Sequence, residues 1–207
     1  PTTPIPSPFS DTSYLEPSFQ KAEAQGHQLA LLTLNALQDS SAELIANPGI
    51  SLLSRTIHLP LDNRLFQLAV AIGVLDRGMS KWMHMRSEVC VWSLGPVSCL
   101  QMPGEIYPEL ILGGIEAPIG QDFVLAPVEV PPLSTLMPGK YHLVMGMAND
   151  MIGYIIPKSE WDEEPPYLYE SEHAHYGEVN SIGPETAGLL HRQSQELLQQ
   201  LSTSTHQ

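Results

Sequence analysis

The sequence predicts an α/β or α+β domain, a mixed sheet with packed helices. Three observations point there. Apolar residues alternate along 55–61, with Ile57, Leu59 and Leu61 on one side. Two apolar runs flank a Leu94-Gly95-Pro96 turn within 87–102, the pattern of a hairpin. Near the C-terminus, Leu190, Leu197 and Leu201 share one helical stripe within 185–201. At 207 residues and 43% hydrophobic, the chain is long and apolar enough for one sizeable core.

The remaining elements follow in chain order. Residues 1–15, rich in Pro, Ser and Thr, read as an extended arm before a domain spanning 16–201. Pro17 suits a first helical turn, and Ala22, Leu29, Ala30, Thr33, Ala36 and Leu37 share a helix face. Asn47-Pro48-Gly49 is a turn. Asp62 or Asn63 suits the cap of a helix carrying Leu65, Leu68, Ala69 and Ile72, with Gly78 beyond its end. Residues 117–138 form a proline-rich connection with one short strand expected near 123–125, and long connections of this kind are usually functional or mobile. Residues 141–147 read as a buried strand, and 202–207 as a frayed tail. A hairpin centred between Leu94 and Gly95 sets Cys90 opposite Cys99, close enough for a bond in an oxidising compartment.

Composition narrows the function classes. Charged residues make up only 15%, and the net charge is −14. Nucleic-acid binding wants Lys/Arg clusters, and docking on anionic lipid wants the same, so neither is expected. No apolar run is long enough to span a bilayer. The chain starts Pro-Thr-Thr-Pro, without Met or a signal segment, which suggests a processed chain or a piece of a longer one.

Three places carry residues suited to chemistry. Glu105 follows the Pro103-Gly104 turn at a strand end, where sites collect; taken alone it reads as a solvated glutamate. Gly146-Met147-Ala148-Asn149-Asp150 leads into Gly153-Tyr154-Ile155-Ile156-Pro157, whose Tyr154 alone reads as half-buried with its hydroxyl on a partner. His173-Ala174-His175 has metal-ligand spacing, yet it lies in a polar, acidic loop and reads as solvated rather than ligating. His27, His58, His84, His142, His191 and His206 are scattered. None of the common nucleophile-elbow, zinc-helix, phosphate-loop or dinucleotide fingerprints occurs.

Together, Pro103-Gly104-Glu105, the 146–157 segment and Tyr176-Gly177-Glu178-Val179-Asn180-Ser181-Ile182-Gly183-Pro184-Glu185-Thr186 resemble, in that order, the C-terminal part of the catalytic domain of neutral/alkaline non-lysosomal ceramidases. The likeness covers about 19–201 and is nearest the shorter bacterial members, which lack an Ig-like domain. It implies a zinc-dependent amide hydrolase that cleaves N-acyl sphingosine or a similar lipid amide with a zinc-bound water. It implies that Glu105 and Tyr154 are metal ligands, and that Tyr154 and Tyr176 act in catalysis, with Tyr167 and Tyr169 as rivals for the last role. The family's two zinc histidines lie in an N-terminal half that nothing in this sequence matches, so that half is an expected partner. The resemblance further implies a secreted, periplasmic or membrane-surface location. The alternative is a related module without the metal that serves in binding or structure. A third reading is an unrelated α/β domain.

Overall fold

The computed structural model describes residues 3–38, 44–75 and 79–204, and they fall into two compact units, within 1–46 and 47–207. In the first unit, β1 (Ile5–Pro6) and β2 (Ser13–Tyr14) pair antiparallel, so the arm expected to be extended is a small hairpin. Helix α1 (Phe19–Gln38) belongs with this hairpin, which moves the unit boundary from 15 to 46. Its anticipated apolar stripe is exposed, including Leu29 and Leu37. Ala24 is buried instead, and His27 sets its ring edge-on to Phe9 at 4.9 Å. Two-residue strands cover only a narrow strip of a 20-residue helix.

The second unit is a mixed sheet with packed helices. Strand β3 (Ile50–Pro60) leads to α2 (Arg64–Ala71), and then come β4 (Met79–Lys81), β5 (His84–Leu94) and β6 (Val97–Gln101). After β7 (Glu105–Ile106), a short helix α3 (Glu109–Leu112) enters the proline-rich connection, which ends at β8 (Tyr141–Met145). Strand β9 (Tyr154–Ile155), the one-turn α4 (Tyr176–Val179) and the long α5 (Thr186–Ser204) complete it. The main sheet runs β3-β5-β6-β8, with β4 also on β5; β8 joins parallel to β6 and the other pairs are antiparallel.

One face of the sheet packs under α5. Ile57, Leu59, Val89, Val91 and Leu100 are buried there with Leu190, Leu197, Leu198 and Leu201. Each such side chain contributes roughly 1.5–3 kcal/mol of transfer free energy. Arg55 on β3 reaches across to Gln193 (2.7 Å) and to the carboxylate of Glu196, fixing the helix on the strand. The 3-10 turn Leu133–Leu136 packs beside α5 and buries Leu133.

The opposite face is different. Ile50, Leu52, Leu94, Tyr141, Leu143 and Met145 are apolar and exposed, so the strand expected to be buried at 141–147 is instead Tyr141–Met145 and mostly exposed. Its odd-numbered side chains point to this uncovered side, and Val144 packs toward the core.

One open choice resolves and three local expectations change. Of Asp62 and Asn63, Asn63 caps α2, its side chain accepting from Leu65 N (3.0 Å) and Phe66 N (3.2 Å). That helix half-buries Phe66 and Val70 and leaves Leu65, Leu68 and Ile72 exposed; apolar residues lie on more than one side of it, so spacing alone does not choose its face. No strand forms at 123–125, because the Gln121 side chain bonds both backbone groups of Leu125 and closes a turn there. The hairpin turns at Gly95-Pro96, with Gly95 at φ 53 as a two-residue turn requires. Cys90 therefore pairs with Gln101, and Cys99 with Trp92. The cysteines are diagonal neighbours, a relation that places Cα atoms about 7–8 Å apart, and both are free and buried. Gly78 and His206 lie outside the described residues, while 202–204 continue α5.

Buried His191 on α5 sets Nε2 2.9 Å from the Pro131 carbonyl, and burial holds its pKa below the ordinary value of 6.5. The unfolded chain takes up a proton as pH falls through 6.5, and the folded chain takes it up only at lower pH. His191 thus contributes stability above 6.5 that is lost as pH falls through its folded pKa. Urea midpoints should show wild type losing more stability than His191→Gln between pH 7 and 5. Parallel losses in the two proteins would remove His191 as the cause.

Candidate active site

Strands β6 and β8 are parallel neighbours, so the chain leaves both at the same end of the sheet. There Met102-Pro103-Gly104 and Gly146-Met147-Ala148 lace together. Met102 N donates to Met145 O (2.9 Å), Ala148 N to Met102 O (2.9 Å) and Met147 N to Gly104 O (2.9 Å). Ile152 N then donates to Pro103 O (2.8 Å). The outcome is a second parallel pair, β7 with β9, in which Glu105 stands in register with Tyr154. The third segment closes from the other side: Tyr154 N donates to Asn180 O (3.0 Å), and Ser181 Oγ to Tyr154 O (2.7 Å).

Glycines make this junction possible. A Cβ on Gly104 would sit 2.3 Å from Gly153 O. One on Gly153, whose φ is +89, would sit 1.9 Å from Asn180 O. Asp150 fixes the approaching turn, accepting from Ser87 Oγ (2.8 Å) and from Met151 N (2.8 Å).

Glu105, Tyr154 and Tyr176 line one cavity of about 270 Å3. Its other walls are mostly apolar, with Phe66, Leu75, Met85, Met151 and Ile152 among them. Tyr154 and Tyr176 meet edge to face at 5.8 Å, and Tyr107 meets Tyr154 in the same way at 6.3 Å. Interaction with the nearby Glu105 carboxylate, then burial, holds the Tyr154 hydroxyl above its usual pKa of 10.0. At neutral pH Tyr154 is thus a phenol held against an exposed carboxylate.

A carboxylate and a phenol are hard oxygen donors of the kind zinc accepts. Two oxygens bound to one ion lie about 3–4 Å apart, close to hydrogen-bonding distance. Glu105 and Tyr154, in register on β7 and β9 and lining one cavity, are of the right chemistry for two of the roughly four donors a zinc site needs. Among the described residues, no group of three His, Cys, Asp or Glu stands close enough to hold a metal ion.

Tyr169 lies at a neighbouring cavity and not at that of Glu105, and Tyr167 lines neither. His175 is beside Asp162, with Nε2 2.8 Å from Oδ2 and off the hydrogen-bonding direction. The His173 carbonyl accepts from Ser171 Oγ (2.6 Å). Of the scattered histidines, His84 and His142 meet backbone carbonyls of Trp82 and Gly139 at 3.0 and 3.2 Å. Not anticipated from the sequence are Tyr107 and the acids Glu160, Asp162 and Glu178, which line the neighbouring cavity with His175. Glu178 sits inside the third segment beside Tyr176, and that adjacency was the one signal for it.

No family model, curated protein or solved structure matches the chain.

Proposed function

We propose that this chain is part of a zinc-dependent amide hydrolase of the neutral ceramidase type, acting on N-acyl sphingosine or a similar lipid amide. The observation that supports this most is the Glu105–Tyr154 pair, two hard oxygen donors in register on adjacent strands and lining one largely apolar cavity. Glu105 and Tyr154 would hold the ion. Zinc, when bound, supplies Lewis acidity that polarises a carbonyl and lowers the pKa of water. Tyr154 and Tyr176 offer phenol groups where charge develops on the amide oxygen. Phe66, Leu75, Met85 and Met151 give an acyl chain an apolar wall.

The open apolar face of the main sheet favours a further layer over it. This supports the reading that the unit is one part of a larger catalytic domain, whose other part supplies two histidines. The lack, among the described residues, of a group of three metal-ligating side chains favours the alternative of a module without the metal.

Zinc titration of the full-length protein, followed by hydrolysis of a short-chain N-acyl sphingosine, separates the two. Stoichiometric zinc with amide cleavage supports the hydrolase. Folded protein that takes up no zinc and cleaves no amide supports the module.

A further inference from the structure

Tyr154 and Tyr176 also line a second cavity, of about 390 Å3. Its walls combine phenol rings with acids: Tyr107, Tyr169, Glu160, Asp162 and Glu178, joined by His175. Burial there is deep. Asp162 is 1% exposed and Glu178 4%.

These acids are not satisfied within the protein. Asp162 Oδ2 accepts from Leu168 N (2.7 Å) and lies beside His175, but Oδ1 is buried without a hydrogen-bond partner. Glu178 Oε2 is buried without one as well. Glu160 accepts from Glu116 N (2.8 Å) through Oε1. With Glu116, four acids thus face one imidazole, the single basic group among the described residues that line the cavity. A buried carboxylate oxygen left unpaired is costly, and a cation with N–H donors removes that cost.

The electrostatics agree. Burial, with a smaller push from the Asp162 charge, holds Glu178 above the usual carboxylate range against the lowering pull of backbone donors and His175; burial together with Glu109, Glu116 and Glu129 does the same for Glu160. Tyrosine faces and acids together suit one ligand class. Ring faces attract cations through their quadrupole, and carboxylates accept ammonium hydrogens. A bare metal ion suits the cavity less well, because no three ligating groups converge among the described residues.

We propose that this second cavity binds an organic ammonium group, held by Asp162 and Glu178 and walled by Tyr107, Tyr169 and Tyr176. The site does not depend on the amide-hydrolase reading. The net charge of −14 would draw such a ligand toward the protein.

The test is calorimetric titration of the 207-residue chain with hexylamine, choline and hexanol. Hexylamine or choline should bind about tenfold or more tightly than hexanol, the neutral analogue. Hexylamine above choline assigns the ammonium to an alkyl chain, and the reverse assigns it to a methylated head group. Asp162→Asn with Glu178→Gln should cost the amine about tenfold or more in affinity. Tyr169→Ala, at a ring that is 76% exposed, leaves the fold in place and should weaken the same binding. Glu105→Ala should leave it unchanged, which separates this site from the zinc reading. Equal binding of hexylamine and hexanol, or no amine binding, would overturn the proposal. Full amine affinity in a folded Asp162→Asn/Glu178→Gln variant would also overturn it, as would displacement of the amine by one equivalent of Mg2+ or Ca2+.

Discussion

Gly153→Ala is expected to destabilise the second unit by about 2–4 kcal/mol, a range typical of backbone strain combined with a steric clash. The φ of +89 disfavours any side chain, and the new methyl carbon would lie 1.9 Å from Asn180 O. Relief requires that the 180–181 segment withdraw. That breaks the Tyr154 N to Asn180 O bond and the bridge from Gly153 to Ser181. The loss would therefore fall on the junction holding Tyr154 against Glu105. Urea denaturation measures the first part, and the ultraviolet titration of the tyrosines the second, because Tyr154 should titrate nearer its ordinary pKa of 10.0. A variant as stable as wild type would mean that the junction is looser than these contacts imply.

The second large effect concerns Glu105 and Tyr154. In the zinc-loaded full-length protein, Glu105→Ala should abolish zinc binding and amide hydrolysis together. Tyr154→Phe should reduce hydrolysis by about 10²–10³-fold, the usual loss for one transition-state donor, and change zinc content less. The asymmetry follows from chemistry. Among the described residues lining the cavity the carboxylate is the only formal charge, whereas the phenol is neutral until well above pH 7. Both side chains lie at the cavity rim, where truncation leaves no void in the core. Undiminished zinc in Glu105→Ala would show that the ion, if any, is held elsewhere.

Much of the fold was legible because burial follows period. The alternation of Ile57, Leu59 and Leu61 and the stripe of Leu190, Leu197 and Leu201 each face the core. The meeting of Glu105 with Tyr154 was also legible, since both follow strands that end on one side. What failed did so for stated reasons. Spacing cannot rank faces on α2, where Phe66 and Val70 compete with Leu65 and Leu68. The hairpin register turned on which two residues make the turn, and a shift there moved Cys90 from Cys99 to Gln101. The strand expected at 123–125 lost to a single side chain, that of Gln121. The cluster of Asp162, His175 and Glu178 left little trace, because Asp162 comes from one loop and His175 and Glu178 from the start of α4, and the burial that singles out Asp162 and Glu178 is not written in their residue types.

The two parallel pairs also set an order in time. Strands β5 and β6 meet through a two-residue turn and can join early, whereas β8 reaches β6 only after the chain has closed the whole proline-rich connection. Closing long loops is slow because the entropy is lost before the contacts form. The Glu105–Tyr154 register lies beyond that closure, so it should be among the last native pairings to form and among the first to open. In pulsed hydrogen exchange during refolding, the amides of Glu105 and Tyr154 should gain protection after those of β5. Simultaneous protection would mean that the sheet and the site condense in one step.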